Sequence, residues 1–188
     1  MSSATRALGR YATLSGLALA IALGIAAPAF AGSPQAPFGD KVSAAILNYN
    51  RATPHIATAG TYGPVAVAEV KALGFATVVD LRGPEEEGVA ANLAAAKAAG
   101  LKHFSIPVTT KAPGDAQVRQ FAAIVEDRAN YPILVNCVSA NRVGAMWALY
   151  RAQAGIPAEI AVEEGRTAGL KSREAAVRER LGLPAPAQ

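Results

Sequence analysis

Between residues 56 and 136 short β-branched and apolar runs alternate with longer amphipathic ones, and this alternation restricts the fold more than any other feature. The short runs cover residues 56–58, 76–81, 103–108 and 133–136 and read as strands. Pro64 opens and Gly74 closes a helical pattern that buries Val67, Val70 and Leu73. A second helix is predicted over residues 86–99, with acids in its first turn, Lys97 in its last and Gly100 as its stop. Asp115 is placed as the N-cap of a third, in which Val118, Phe121, Ala122 and Val125 recur at helical spacing. Residues 142–154 form a fourth, and short helices from Pro157 and Ser172 complete the pattern. Strands that alternate with helices of this length build βαβ units, hence a mostly parallel sheet covered on both faces. Ligands of such sheets lie beyond the carboxyl ends of the strands, which directs attention to the loops after Leu81, Val108 and Asn136.

The first 31 residues follow a different logic. Arg6 and Arg10 precede an apolar run over residues 17–27, and Ala29 and Ala31 flank Phe30, the pattern of a secretory signal peptide cleaved after Ala31. The run is shorter than the ~20 residues that span a bilayer. Removing 31 of the 188 residues leaves 157, enough for one domain and one substantial core. We expect a lead-in over residues 32–47, flexible through Gly39, and a catalytic domain over residues 48–183. The expected location is periplasmic or secreted, without stable membrane insertion after cleavage. The leader holds two of the arginines and no acid, so the formal charge falls from +4 to +2. No basic stripe interleaved with aromatics remains, and no nucleic-acid partner is expected. One cysteine in an exported chain forms no internal disulfide, so Cys137 is either an inert buried thiol or a thiol kept for chemistry.

Context favours chemistry. Residues 131–136 (Tyr-Pro-Ile-Leu-Val-Asn) lead directly into Cys137, Val138, Ser139, Ala140, Asn141 and Arg142 at the start of a helix. The short residues Val138, Ser139, Ala140 and Asn141 let main-chain N–H groups close around an oxyanion, and the helix dipole adds partial positive charge. A helix N-terminus and a nearby arginine favour the thiolate of Cys137. Arg142 offers a planar fork matched to two oxygens of a tetrahedral anion. Ser139 can donate to the thiolate or to a leaving sulfur.

This six-residue loop after a parallel strand resembles the phosphate loop of Cys-dependent phosphatases. It is most similar to the short-loop, dual-specificity-like group named after the phosphatase-like part of beta-lactamase-hydrolase-like proteins. Supporting strings are Asn48-Tyr49-Asn50-Arg51 with Pro54, Gly74-Phe75 before Val78-Val79-Asp80-Leu81-Arg82, Glu85 soon after, and Ile106-Pro107-Val108. The resemblance covers residues 48–170. It implies a protein tyrosine phosphatase-like α/β/α fold in three layers with a central, mostly parallel sheet of four to five strands. It further implies a phosphocysteine at Cys137 and oxyanion binding by Arg142 and the loop. The partner so implied is a phosphorylated protein, small phosphoester or other oxyanion.

Several residues depart from the usual phosphatase pattern. Four residues separate Cys137 from Arg142 where five are common; Asn136 stands where His is usual; Val143 replaces a hydroxyl residue; Thr109 and Thr110 follow the third strand, where a general-acid Asp is often found. The four-residue spacing also resembles rhodanese-type sulfurtransferases, whose cysteine carries a persulfide and whose loop often has Gly at the place of Ala140. An inactive module that binds phosphate or sulfate without turnover is a third reading.

A phosphatase needs an acid for the leaving oxygen. Asp115, after Pro113-Gly114, is the first candidate and Asp80 the second, the alternatives being a helix cap for Asp115 and an ion pair with Arg82 for Asp80. Arg82 is a candidate substrate-binding residue. Glu85 could buttress the loop, although the run Glu85-Glu86-Glu87 reads more simply as solvated charge. His55 and His103 have no Cys or acid at metal-ligand spacing, so neither a metal nor another cofactor is expected.

Overall fold

The computed structural model describes residues 34–186; the expected leader, residues 1–31, lies outside them. Five strands, β1 (Asn50–Thr53), β2 (Ile56–Ala59), β3 (Thr77–Asp80), β4 (Lys102–Ser105) and β5 (Ile133–Asn136), form one sheet in the order β1-β2-β5-β3-β4. β1 pairs antiparallel with β2 and all other pairings are parallel. The chain leaves β2, passes through α1 (Ala66–Ala72) to β3, continues through α2 (Val89–Ala98) to the β4 edge, and returns through α3 (Asp115–Glu126) to fill the vacant slot with β5. That return puts the end of β5 between the exits of β2 and β3, the crevice in which a sheet of this kind takes its ligand.

Side chains on successive strand residues point to opposite faces, and the two faces feed two cores. Ile56, Val79, Ile133 and Val135 meet Phe121 of α3 and Met146 and Trp147 of α4 (Asn141–Gln153). Ala57, Ala59, Val78 and Leu134 meet Val67 and Val70 of α1 and Ala96 of α2. α5 (Ala158–Thr167) and α6 (Glu174–Arg180) cover the outer side of α4. Residues Arg142 to Leu149 of α4 are all buried, so this helix runs through the protein rather than along its surface.

Two expectations need correction. The lead-in is packed rather than loose over its described part: Ala36 and Ile46 are buried in the second core, and the Ala36 N–H donates to the Pro54 carbonyl at 2.8 Å. The second helix begins at Val89, not at Glu86, after Gly88 in a left-handed conformation (φ 76°). Its supposed first-turn acids therefore sit in the β3–α2 loop. No helix among the described residues is long and apolar enough to cross a membrane.

Candidate active site

A buried strand cannot stop abruptly without stranding its polar groups, and β5 continues into a loop whose backbone is held by neighbours. The Cys137 N–H donates to the Ala59 carbonyl at 3.4 Å, and the Val138 carbonyl accepts from Thr61 N–H at 2.7 Å. The Ser139 carbonyl accepts from Asn48 Nδ2 at 3.3 Å. Ala140, buried, adopts a left-handed conformation (φ 65°) that an alanine rarely takes, and its carbonyl accepts from Gly144 N–H at 2.8 Å, starting α4. The N–H groups of residues 138–143 donate to no acceptor among the described residues. Loop and helix start thus present consecutive free donors beside Cys137, an anion cradle in which the dipole of α4 adds to the amides.

The first turn of α4 is clamped from outside. Asn141 Oδ1 accepts from Lys171 N–H at 2.9 Å and its Nδ2 donates to Ser172 Oγ at 2.8 Å. Gly144 has no side chain because none fits: a Cβ there would lie 2.1 Å from the Leu170 nitrogen and 2.6 Å from the Gly165 carbonyl oxygen. Gly169 likewise leaves room for the Ala140 methyl, which a Cβ would meet at 2.5 Å.

Arg142 does not face solvent. Its Nη1 and Nη2 donate to Glu86 Oε1 and Oε2 at 2.5 and 2.6 Å, and Nη1 also lies 3.4 Å from the Leu81 carbonyl and 3.5 Å from that of Val108. The guanidinium is therefore anchored at the exits of β3 and β4. The hydrogen bonds that Arg142 donates to Glu86 raise the guanidinium pKa above the ordinary value against the effect of burial, and the sulfur of Cys137 acts in the same direction. The Glu86 carboxyl is lowered to about 2, chiefly by the Arg142 hydrogen bonds and further by the Gly83 N–H at 2.6 Å.

Arg82 and Asp80 form a second, deeper pair. Both are 2% exposed; Arg82 Nη2 donates to Asp80 Oδ2 at 2.6 Å and Nε to Oδ1 at 3.0 Å. Asp80 thus takes the ion-pair alternative, and its carboxylate is committed to Arg82. Arg82 also lines a cavity of about 570 Å³ together with Tyr62, Glu86, Glu87, Asn92 and Val138, so it borders the loop from below while spending its charge on Asp80.

Asp115 lies elsewhere. Gly114, not Asp115, is the N-cap of α3, and the exposed Asp115 carboxylate pairs with Arg180 at the end of α6. None of its polar contacts is with residues 137–142. Trp147 and Met146 are core residues, and Trp147 Nε1 donates to Glu164 at 3.1 Å. Sequence reasoning missed the role of Glu86, since nothing in three consecutive glutamates marks which one turns inward. It also missed Asn48, whose left-handed φ of 49° at the start of the β1 hairpin aims the amide at Ser139.

Residues 66–180 match the family model described as DSP-PTPase phosphatase fused to NAD+ kinase. No curated protein matches the chain. Among solved structures, a putative phosphatase (DUF442) from Shewanella putrefaciens CN-32 superposes with a TM-score of 0.60 at 19% identity, covering 73% of this chain and 92% of that one. TpbA of P. aeruginosa, solved as a cysteine-to-serine variant with pTyr, gives 0.58 at 23% identity over 73% and 86% of the two chains. The core catalytic domain of the PP-IP phosphatase SIW14 from S. cerevisiae, in complex with citrate, gives 0.58 at 18% identity over 71% and 85%. These likenesses establish a protein tyrosine phosphatase-like fold.

Proposed function

The chain belongs to the family of DSP-PTPase phosphatases fused to NAD+ kinase, and from that membership we propose that it hydrolyses phosphomonoesters through a phosphocysteine at Cys137. The observation that carries this reading is the run of free N–H groups over residues 138–143 around the buried Cys137, with Arg142 fixed beside it by Glu86. In the first step the sulfur attacks phosphorus, the S–P bond forms, and the ester P–O bond breaks as the leaving oxygen departs with its electron pair as phenoxide or alkoxide and takes a proton from water. In the second, water attacks phosphorus and gives up a proton to solvent, the S–P bond breaks with its electron pair returning to sulfur, and inorganic phosphate departs. Amides and Arg142 hold the three non-bridging oxygens, whose negative charge is greatest where the donors converge.

Among the described residues no carboxylic acid contacts the loop apart from Glu86, which the Arg142 pair keeps ionised. We therefore propose aryl phosphates, whose leaving groups need least protonation, as the best substrates; phosphotyrosine is the biological form of that chemistry. The leader pattern of residues 1–31 supports export, and we propose that the enzyme works outside the cytoplasm. Family membership favours hydrolysis over persulfide transfer. Turnover of an aryl phosphate that Cys137→Ser abolishes, while the variant still binds tungstate, is the expected result. Equal turnover by the variant, or release of thiocyanate from thiosulfate and cyanide without phosphate ester hydrolysis, would overturn it.

A further inference from the structure

The charge beside the loop does not add up for a dianion. Arg142 arrives with the Glu86 carboxylate at 2.5 and 2.6 Å and Arg82 with Asp80 at 2.6 Å, so both guanidiniums singled out from the sequence are already neutralised. A phosphomonoester brings roughly −1.5 to −2 charges at neutral pH. Partial charges on the amides offset only part of that.

A third guanidinium reaches the same place. Arg173, half-buried in the connection between α5 and α6, donates through Nη1 to the Thr110 carbonyl. Thr110 is two residues beyond Val108, whose carbonyl accepts from Arg142 Nη1 at 3.5 Å, so the two arginines converge on one short segment after β4. The connection that carries Arg173 is fixed to the loop by the Asn141 bonds to Lys171 and Ser172 and by the contact of Leu170 with Gly144. Burial and then the like charge of Arg142 lower the pKa of Arg173, while Cys137 and Glu86 raise it. An arginine remains charged at any working pH all the same. Among the described residues Arg173 pairs with no carboxylate, and its Nε and Nη2 donate to no acceptor.

We propose that Arg173 is a substrate-binding residue: its free N–H groups take a non-bridging phosphate oxygen and supply the positive charge that Glu86 removes from Arg142. The site consequently selects doubly charged phosphomonoesters over singly charged phosphodiesters. For the identity of the anion this rests on the phosphatase reading; for the location of the charge it does not.

Tungstate, a tetrahedral dianion, separates the two. Its dissociation constant is measured by calorimetry on Cys137→Ser protein carrying Arg173, Arg173→Lys or Arg173→Gln, with melting temperatures alongside. Loss of a charge-assisted donor should weaken binding about ten- to a hundredfold in Arg173→Gln. Lysine, which keeps the charge, should restore most of it, and Gln retains a donor for the Thr110 carbonyl, so folding is preserved. A merely structural arginine would lower the melting temperature without moving the constant. Equal affinity with Arg and Gln, equal weakness with Lys and Gln, or no tungstate binding by the Arg173 parent overturns the proposal. Tungstate binding that depends on Arg173 in a protein without phosphatase turnover would remove the proposed function and leave this inference standing.

Discussion

Glu86 and Arg142, 56 residues apart, meet through two side-by-side bonds of 2.5 and 2.6 Å. The pair joins the loop after β3 to the first turn of α4 and sets where the guanidinium sits relative to Cys137. A fork held at both prongs from behind cannot rotate, so its remaining N–H groups keep one direction as charge develops on the phosphate. Misplacement by ~1 Å costs on the order of a hundredfold in rate. Glu86→Gln should accordingly lower kcat/KM on an aryl phosphate by about a hundredfold, read from steady-state kinetics, with the Cys137 thiol still present by titration.

The same pair gives an acid-stability signature. The Glu86 carboxyl sits below its ordinary 4.5, at about 2, so the folded state binds its proton less readily than the unfolded state does. Its contribution is complete above pH ~4.5 and is lost as pH falls through about 2. Urea unfolding between pH 5 and 2 should show a steeper loss of stability in the parent than in Glu86→Gln; parallel curves would contradict this.

Asp80 and Arg82 form the more deeply buried pair, and removing one partner leaves an uncompensated charge. Asp80→Ala should destabilise by about 3–5 kcal/mol. Replacing both residues by leucine should recover much of that, since the desolvation cost disappears with the charges. Denaturant unfolding of the three proteins measures the difference.

Gly144→Ala is predicted to be far more damaging than an alanine in a helix ordinarily is. Its methyl would meet the Leu170 backbone at 2.1 Å, and that backbone is part of the connection carrying Lys171, Ser172 and Arg173. We expect a loss of about 3 kcal/mol or more and a fall in activity beyond that of an equally destabilised core variant. Thermal melts with kinetics at a temperature where both proteins are folded check it.

Asp115→Asn tests the acid suggested by the sequence. The carboxylate is exposed and paired with Arg180, away from the loop. Turnover of an aryl phosphate should change less than about threefold and stability by under ~1 kcal/mol, the range of a surface pair.

Much of this was readable from the chain. β5 and α4 were legible because a run of buried aliphatics, a stretch of short residues and a helix start lie consecutively in sequence, and those same residues hold Cys137 and Arg142. β1 was not: Asn50, Arg51, Ala52 and Thr53 are all half-buried on an antiparallel edge paired with β2 alone, so no apolar alternation marks it. The start of α2 was misplaced because Glu86 is drawn off by an arginine in another element, a long-range pairing that local spacing does not encode. Arg173 went unnoticed for a similar reason, since its segment is brought beside the loop by long-range contacts, Leu170 against Gly144 and Asn141 with Lys171 and Ser172.

The most direct test is acid quenching during turnover of an aryl phosphate, followed by mass spectrometry of the peptide containing Cys137. The account predicts phosphate attached to that cysteine, accumulating where hydrolysis of the adduct is slow and absent from Cys137→Ser. Sustained turnover by Cys137→Ser, or phosphate trapped on a different side chain, would contradict it.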